Sequence, residues 1–170
     1  MEMEETVKSN AKSAPAIKPE GYQFVVSRAK GAEFETDGLR EEFAYRDLGV
    51  ADASHGDFHA HIIKAKHLNG GHNGLHRHLV GLQFAMVLKG WVSFYYAEHG
   101  EFRYEQGDAV TIPGETLHEL RDYSEDLELL ELTSPAVYNT VREDGSEMAT
   151  PGQKVRIEER TTTVKSTEAK

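Results

Sequence analysis

The chain of 170 residues contains no cysteine. Disulfides, thiolate nucleophiles, zinc ribbons and iron–sulfur clusters are thereby excluded, so any transition-metal site has to use imidazole, carboxylate or amide ligands. Positive charge is also short: 19 Lys and Arg stand against 29 Asp and Glu, a formal net charge of −10. Nucleic acids and anionic membranes are bound by basic faces, and this balance argues against both as partners. No run approaches the roughly 20 consecutive apolar residues of a membrane span, and the N-terminus lacks a signal-peptide core, so a cytoplasmic protein is expected. No internal repeat suggests a solenoid or propeller, and the length fits one domain.

What the chain does have is unevenly distributed. All nine histidines and all aromatic residues lie between Tyr22 and Tyr138. A packed core needs large apolar side chains, so the folded domain is expected over 21–138. Residues 1–20 and 139–170 are polar, and both read as mobile or loosely docked tails.

Within 21–138, short runs rich in β-branched and aromatic residues recur, each bounded by Gly, Pro, Asp or Asn. They predict strands over Tyr22 to Ser27, Phe43 to Asp47, Phe58 to Lys66, Leu82 to Leu88, Trp91 to Ala97, Glu101 to Glu105, Ala109 to Ile112, Glu119 to Tyr123 and Leu127 to Thr133. Gly90 and Gly100 sit where tight hairpin turns need positive φ. No window keeps a helical apolar period. An all-β barrel, closed or of two antiparallel sheets, is the architecture implied.

Chemistry is densest in His72-Asn73-Gly74-Leu75-His76-Arg77-His78. In an extended segment residues two apart face the same way, so His76 and His78 can present two imidazole nitrogens to one ion while Arg77 turns away. Gln83 follows His78 by five positions and Gly90 follows Gln83 by seven; Gly107, Pro113 and His118 are separated by six and five. In these spacings the sequence resembles the cupin superfamily, whose first motif runs glycine, H-x-H, glutamate, glycine and whose second runs glycine, P-x-G, histidine, asparagine. The first falls on Gly71 to Gly90 and the second on Gly107 to Asp122.

The resemblance implies a double-stranded β-helix, the cupin or jelly-roll barrel of two antiparallel sheets. It further implies one divalent transition metal ion on His76, His78 and His118; Fe, Mn, Ni, Cu, Co and Zn all suit imidazole. Three positions depart from the family pattern. Gln83 replaces the glutamate ligand, Gly114 comes one place before the glycine of P-x-G, and Asp122 replaces the asparagine. With Gln83 as fourth ligand or supporting amide, a divalent ion keeps its full +2 charge, which favours a chelating organic anion.

In Leu127-Glu128-Leu129-Leu130-Glu131-Leu132 one glutamate falls on each face. The resemblance points to Glu131 as the inward one and the nearest candidate catalytic base; the alternative is an edge strand with neither buried. Small Ala85 shares the parity of Gln83 and would leave room in the pocket. His59 and His61 form a second H-x-H, read as exposed or supporting histidines rather than a second metal pair, with His61 able to line the pocket. Phe84, Met86, Trp91, Phe94 and Tyr96 read as core, the remaining histidines as solvent-facing, and Arg40 and Arg46-Asp47 as a strand-end ion pair rather than an anion contact. Two functions fit: a metal-dependent, dioxygenase-like oxidoreductase acting on a small chelating anion, or a non-catalytic metal or small-molecule sensor. Pairing through Tyr22 to Val26 would give a homodimer.

Overall fold

The computed structural model describes residues 21–36, 42–66 and 74–148. His67, His72, Arg40 and the stretches 1–20 and 149–170 lie outside the described residues. In chain order the elements are β1 (Phe43–Asp47), α1 (Val50–Ala53), β2 (His59–Ala65), β3 (His76–His78), β4 (Leu82–Lys89), β5 (Trp91–Tyr96), β6 (Gly100–Glu105), β7 (Ala109–Pro113), β8 (His118–Tyr123), β9 (Glu128–Ser134), β10 (Thr140–Arg142) and β11 (Glu147–Met148). They build two antiparallel sheets, ordered β1-β2-β9-β4-β7 and β11-β10-β3-β8-β5-β6. None of the described helices is long and apolar enough to cross a membrane.

Strand alternation explains what is inside. Along β4, Gln83, Ala85 and Val87 are buried, while Phe84 and Met86 lie half-buried on the other face. Phe84, Met86 and Trp91 therefore belong to the outer flanks rather than the core, and Trp91 carries the Arg103 guanidinium 3.7 Å from its ring. On β8 a bulge adjusts the parity: between Ser93 and Phe94 of β5 the register slips, so Leu120 faces Phe94 and Tyr123 faces Val92. Leu120, Tyr123, Val92 and Leu127 then join Phe43, Tyr45, Val87 and Leu129 in one apolar cluster between the sheets.

Two segments differ from the sequence reading. Tyr22 to Ser27 forms no strand, and Phe24, Val25 and Val26 are exposed. Apolar, β-branched composition was the only signal there, and such composition needs a partner strand before it becomes a ladder. Conversely, Thr140–Arg142 and Glu147–Met148, assigned by composition to a tail, form β10 and β11. Asp47 does not pair with Arg46 as expected; its carboxylate accepts the Gly49 N–H at 2.7 Å.

The turn after β7 accounts for the shifted glycine of the second motif. A Cβ on Gly114 would stand 1.6 Å from the Val80 carbonyl oxygen, so this position admits no side chain. Glu115 occupies the family's glycine position and holds φ at 64°, a left-handed conformation that costs a non-glycine residue roughly 1–2 kcal/mol. Its N–H donates to the His78 carbonyl at 3.1 Å, tying the turn to a strand of the candidate site. Gly114→Ala is expected to lower stability by about 2 kcal/mol or more, through backbone collision. Glu115→Gly is expected to raise it by about 1 kcal/mol, through relief of the strained φ. Urea denaturation midpoints of the two variants against the parent check both signs.

Candidate metal centre

The strand registers place the site. His76 on β3 pairs with His118 on β8, and His78 pairs with Thr140 on β10. In an antiparallel ladder, paired residues share a face, so the three histidines project together into the space between the sheets. They are 2%, 7% and 3% exposed respectively. Their ring centroids lie 4.6–5.2 Å apart, and one ligand atom from each falls within 4.8 Å of the others.

Each ring is held at its far nitrogen. His76 Nδ1 lies 2.9 Å from the Gly74 carbonyl oxygen, and His118 Nδ1 lies 2.8 Å from that of Thr116. A carbonyl only accepts, so both Nδ1 atoms carry a proton, and Nε2 is the ring atom left to serve as a ligand. His78 Nδ1 lies 2.8 Å from Thr140 Oγ1, which can accept in the same way. Three buried imidazoles held at their outer nitrogens, with one ligand atom from each within 4.8 Å of the others, form a donor set that fits a divalent transition metal ion. Burial of three unpaired imidazoles would be costly; these bonds offset that cost at the outer nitrogens.

Beside the triad lies a cavity of about 60 Å³, room for roughly four waters or one small organic molecule. Its apolar wall includes Phe43, Ile63, Ala85, Val92, Ile112 and Leu129, and its polar lining is His76, His78, His118, Gln83 and Glu131. Phe94, expected in the core, also lines it. Gln83 and Ala85 on β4 face Thr133 and Glu131 on β9, and the small Ala85 leaves the space that the Glu131 side chain occupies.

Glu131 is the one carboxylate among the described residues lining the cavity. Its side chain is 15% exposed, and both oxygens are taken. Oε1 accepts from the Gln83 amide nitrogen at 2.6 Å, and Oε2 lies 2.8 Å from His61 Nε2. Burial pushes this carboxyl up, but the hydrogen bond and charge of His61, with smaller help from His78 and the Gln83 amide, hold it well below the usual carboxylate range.

The remaining predicted residues fall as follows. His61 is not among the residues that line the cavity; it stands behind Glu131, with Nε2 2.8 Å from Oε2. His59 and His61 are both 5% exposed, so they are buried rather than surface histidines, held by a bond of 3.0 Å between His59 Nε2 and His61 Nδ1. His55 and His99 are exposed. Thr140 was missed, since a three-residue strand in a polar stretch has too few positions to show alternation. The carbonyls of Gly74 and Thr116 carry no side-chain signal in any sequence.

No protein-family model and no curated protein matches the chain significantly. Solved structures do. KdgF from Halomonas sp. is 20% identical over 72% of this chain and 98% of its own, with a TM-score of 0.54. The polyketide cyclase RemF from Streptomyces resistomycificus is 16% identical over 68% of this chain and 82% of its own, with a TM-score of 0.53. An RmlC-like cupin protein from Ralstonia eutropha is 13% identical over 72% and 74%, with a TM-score of 0.55. At these identities the likeness is one of fold, and the fold is that of the cupins.

Thr140→Val keeps the volume but removes the acceptor from His78 Nδ1. Metal affinity is expected to fall about 10–100-fold, as when other outer partners of ligating histidines are lost. Competition titration with a chelator, on the variant and the parent, measures it.

Proposed function

We propose that this chain, a member of the cupin superfamily by fold, is a metal-dependent, dioxygenase-like oxidoreductase whose substrate is a small chelating organic anion. The observation that carries the reading is the convergence of three buried imidazoles, with one ligand atom from each within 4.8 Å of the others, on one wall of a small, largely apolar cavity. The bound ion would supply a Lewis-acidic, redox-capable centre with open positions for substrate and O₂.

The protein's own residues supply the rest. Gln83, unlike a glutamate, brings no charge to the ion, and the apolar walls lower the local dielectric, so an anion is attracted there. Gln83, tethered by its nitrogen to Glu131, is the polar neighbour of the ion's open positions. Glu131 is the group placed to take or return a proton at the cavity wall. A volume of about 60 Å³ restricts the reacting part of the substrate to a few heavy atoms.

One observation favours the second reading, a non-catalytic binding or sensing module. Both oxygens of Glu131 are already engaged, and a carboxylate so held is slower to act as a base. Protein purified without an affinity tag is expected to contain about one equivalent of transition metal by elemental analysis, whichever reading holds. Oxygen uptake separates the two: turnover is expected with at least one of a panel of 1,3-diketones, flavonols and thiol acids under Fe, Mn, Ni or Cu. Metal binding with no uptake across the panel establishes the binding module instead.

A homodimer belongs to the same proposal, with the exposed Phe24, Val25 and Val26 as its contact. Light scattering at micromolar concentration is expected to give twice the 19.0 kDa chain mass, and Phe24→Asp is expected to shift it toward the monomer.

A further inference from the structure

The strand that closes the six-stranded sheet reads Gly100-Glu101-Phe102-Arg103-Tyr104-Glu105. Phe102 and Tyr104 pair with Phe94 and Val92 of β5, both of which line the metal cavity, and paired residues share a face. The two aromatic side chains therefore point between the sheets. Arg103 and Glu105 form an ion pair of 2.7 Å, and Arg103 lies over Trp91 on the outer flank. β6 and β7 are the last strands of their respective sheets. Between these two edges opens a recess of about 170 Å³, bounded by Tyr96, Phe102 and Tyr104 on one side and by Val110, Ile112 and Pro113 on the other. Phe102 is 45% exposed there, an unfavourable exposure of a large apolar ring that an occupant would relieve.

Shape and charge select the occupant. The Phe102 and Tyr104 rings lie within 18° of parallel with centroids 6.4 Å apart, and Tyr96 stands at 65° to Phe102 with centroids 6.1 Å apart. A flat ring laid in that corner can stack offset on the wall and meet Tyr96 edge to face, the two arrangements aromatic pairs prefer. Such contacts favour an aromatic ring over an aliphatic one of equal area by roughly 2–10-fold in affinity. No Lys, Arg, Asp or Glu is among the described residues lining the recess, so a charged group would lose its water there without gaining a partner. The volume suits one six-membered ring, since a closed apolar cavity of about 150 Å³ holds a benzene.

The recess adjoins the metal cavity. Ile112 lines both spaces. The Tyr96 ring centroid lies 6.0 Å from that of His118, and Thr116, which also lines the recess, holds His118 Nδ1 through its carbonyl oxygen. We propose that the recess between β6 and β7 is a subsite for an uncharged aromatic ring, and that the substrate carries such a ring beside its chelating anionic head. The link to the substrate rests on the reading of the triad as the metal centre that takes the head. The ring site itself rests on the geometry of β5, β6 and β7 alone.

Chemical-shift mapping by NMR on the full, metal-free chain tests the ring site without metal or turnover. Benzyl alcohol is expected to shift the resonances of Phe102, Tyr104, Val110 and Ile112 and to saturate at millimolar concentration. Cyclohexylmethanol, with the same number of heavy atoms, is expected to bind roughly 2–10-fold more weakly. No shift at these residues means that the recess is covered by another part of the chain or by a second copy, and overturns the proposal; equal binding of the two alcohols overturns the aromatic assignment. Phe102→Ala is expected to remove the preference for the aromatic alcohol, and a preference that survives overturns the proposal. Should Phe102→Ala fail to fold, Val110→Phe, which fills the recess, is expected to abolish binding of both alcohols, and undiminished binding overturns the proposal.

A second pair of probes tests the link to the substrate. On the metal-loaded chain benzoylacetone is expected to bind about tenfold tighter than acetylacetone, which lacks the ring, and the ratio is expected to fall to about one in Phe102→Ala. A ratio near one in the parent, or an unchanged ratio in the variant, overturns the assignment of the ring to the substrate. A chain that takes up no metal yet binds benzyl alcohol in the recess would sink the metal reading and leave the ring site standing.

Discussion

The site depends on one constraint: each histidine of the triad must be held at Nδ1 so that its Nε2 turns toward the other two. A buried imidazole has two tautomers and two ring flips, and only one arrangement suits a ligand at Nε2. Here two backbone carbonyls, at Gly74 and Thr116, fix the choice for two rings, and the Thr140 hydroxyl holds the third in place. The strand registers, the tight approach of Gly114 to Val80 and the bond from Glu115 to His78 all serve to hold those acceptors where they are. The barrel is thus a device for fixing proton positions as much as for enclosing a cavity.

Charge is arranged with the same economy. The chain is strongly acidic, yet among the described residues its cavity presents a single carboxylate, whose charge is held in place by two hydrogen bonds. Gln83 is what makes this arrangement workable. A glutamate there would set two carboxylates within hydrogen-bonding distance, and one would have to take up a proton or withdraw. The amide instead donates to Glu131, and the acidic function passes from β4 to its neighbour β9, one strand away from the position the family motif assigns.

Much of this was legible in the sequence, for identifiable reasons. Strands β1, β2 and β4 to β9 announce themselves by alternation and turn residues, and the H-x-H pair places two imidazoles on one face by parity alone. The two faces of its strand put one of Glu128 and Glu131 inward, and the family resemblance singled out Glu131. The partners of Glu131 could not be foreseen: His61 and Gln83 meet it through strand order, which no local pattern encodes. The segment Tyr22 to Ser27 misled because apolar composition reports a capacity to pair, not the presence of a neighbour. β10 was invisible because three residues within a polar stretch carry no periodicity.

Thr140 has a consequence for where this domain ends. By composition the folded domain ends at Tyr138, and a protein cut there would keep every histidine of the triad and its apolar cluster. It would have lost β10, the strand paired along β3, and with it the hydroxyl beside His78 Nδ1. Such a truncation would leave β3 an open edge and the His78 ring without its outer contact. The boundary of the site therefore lies beyond the one that composition draws.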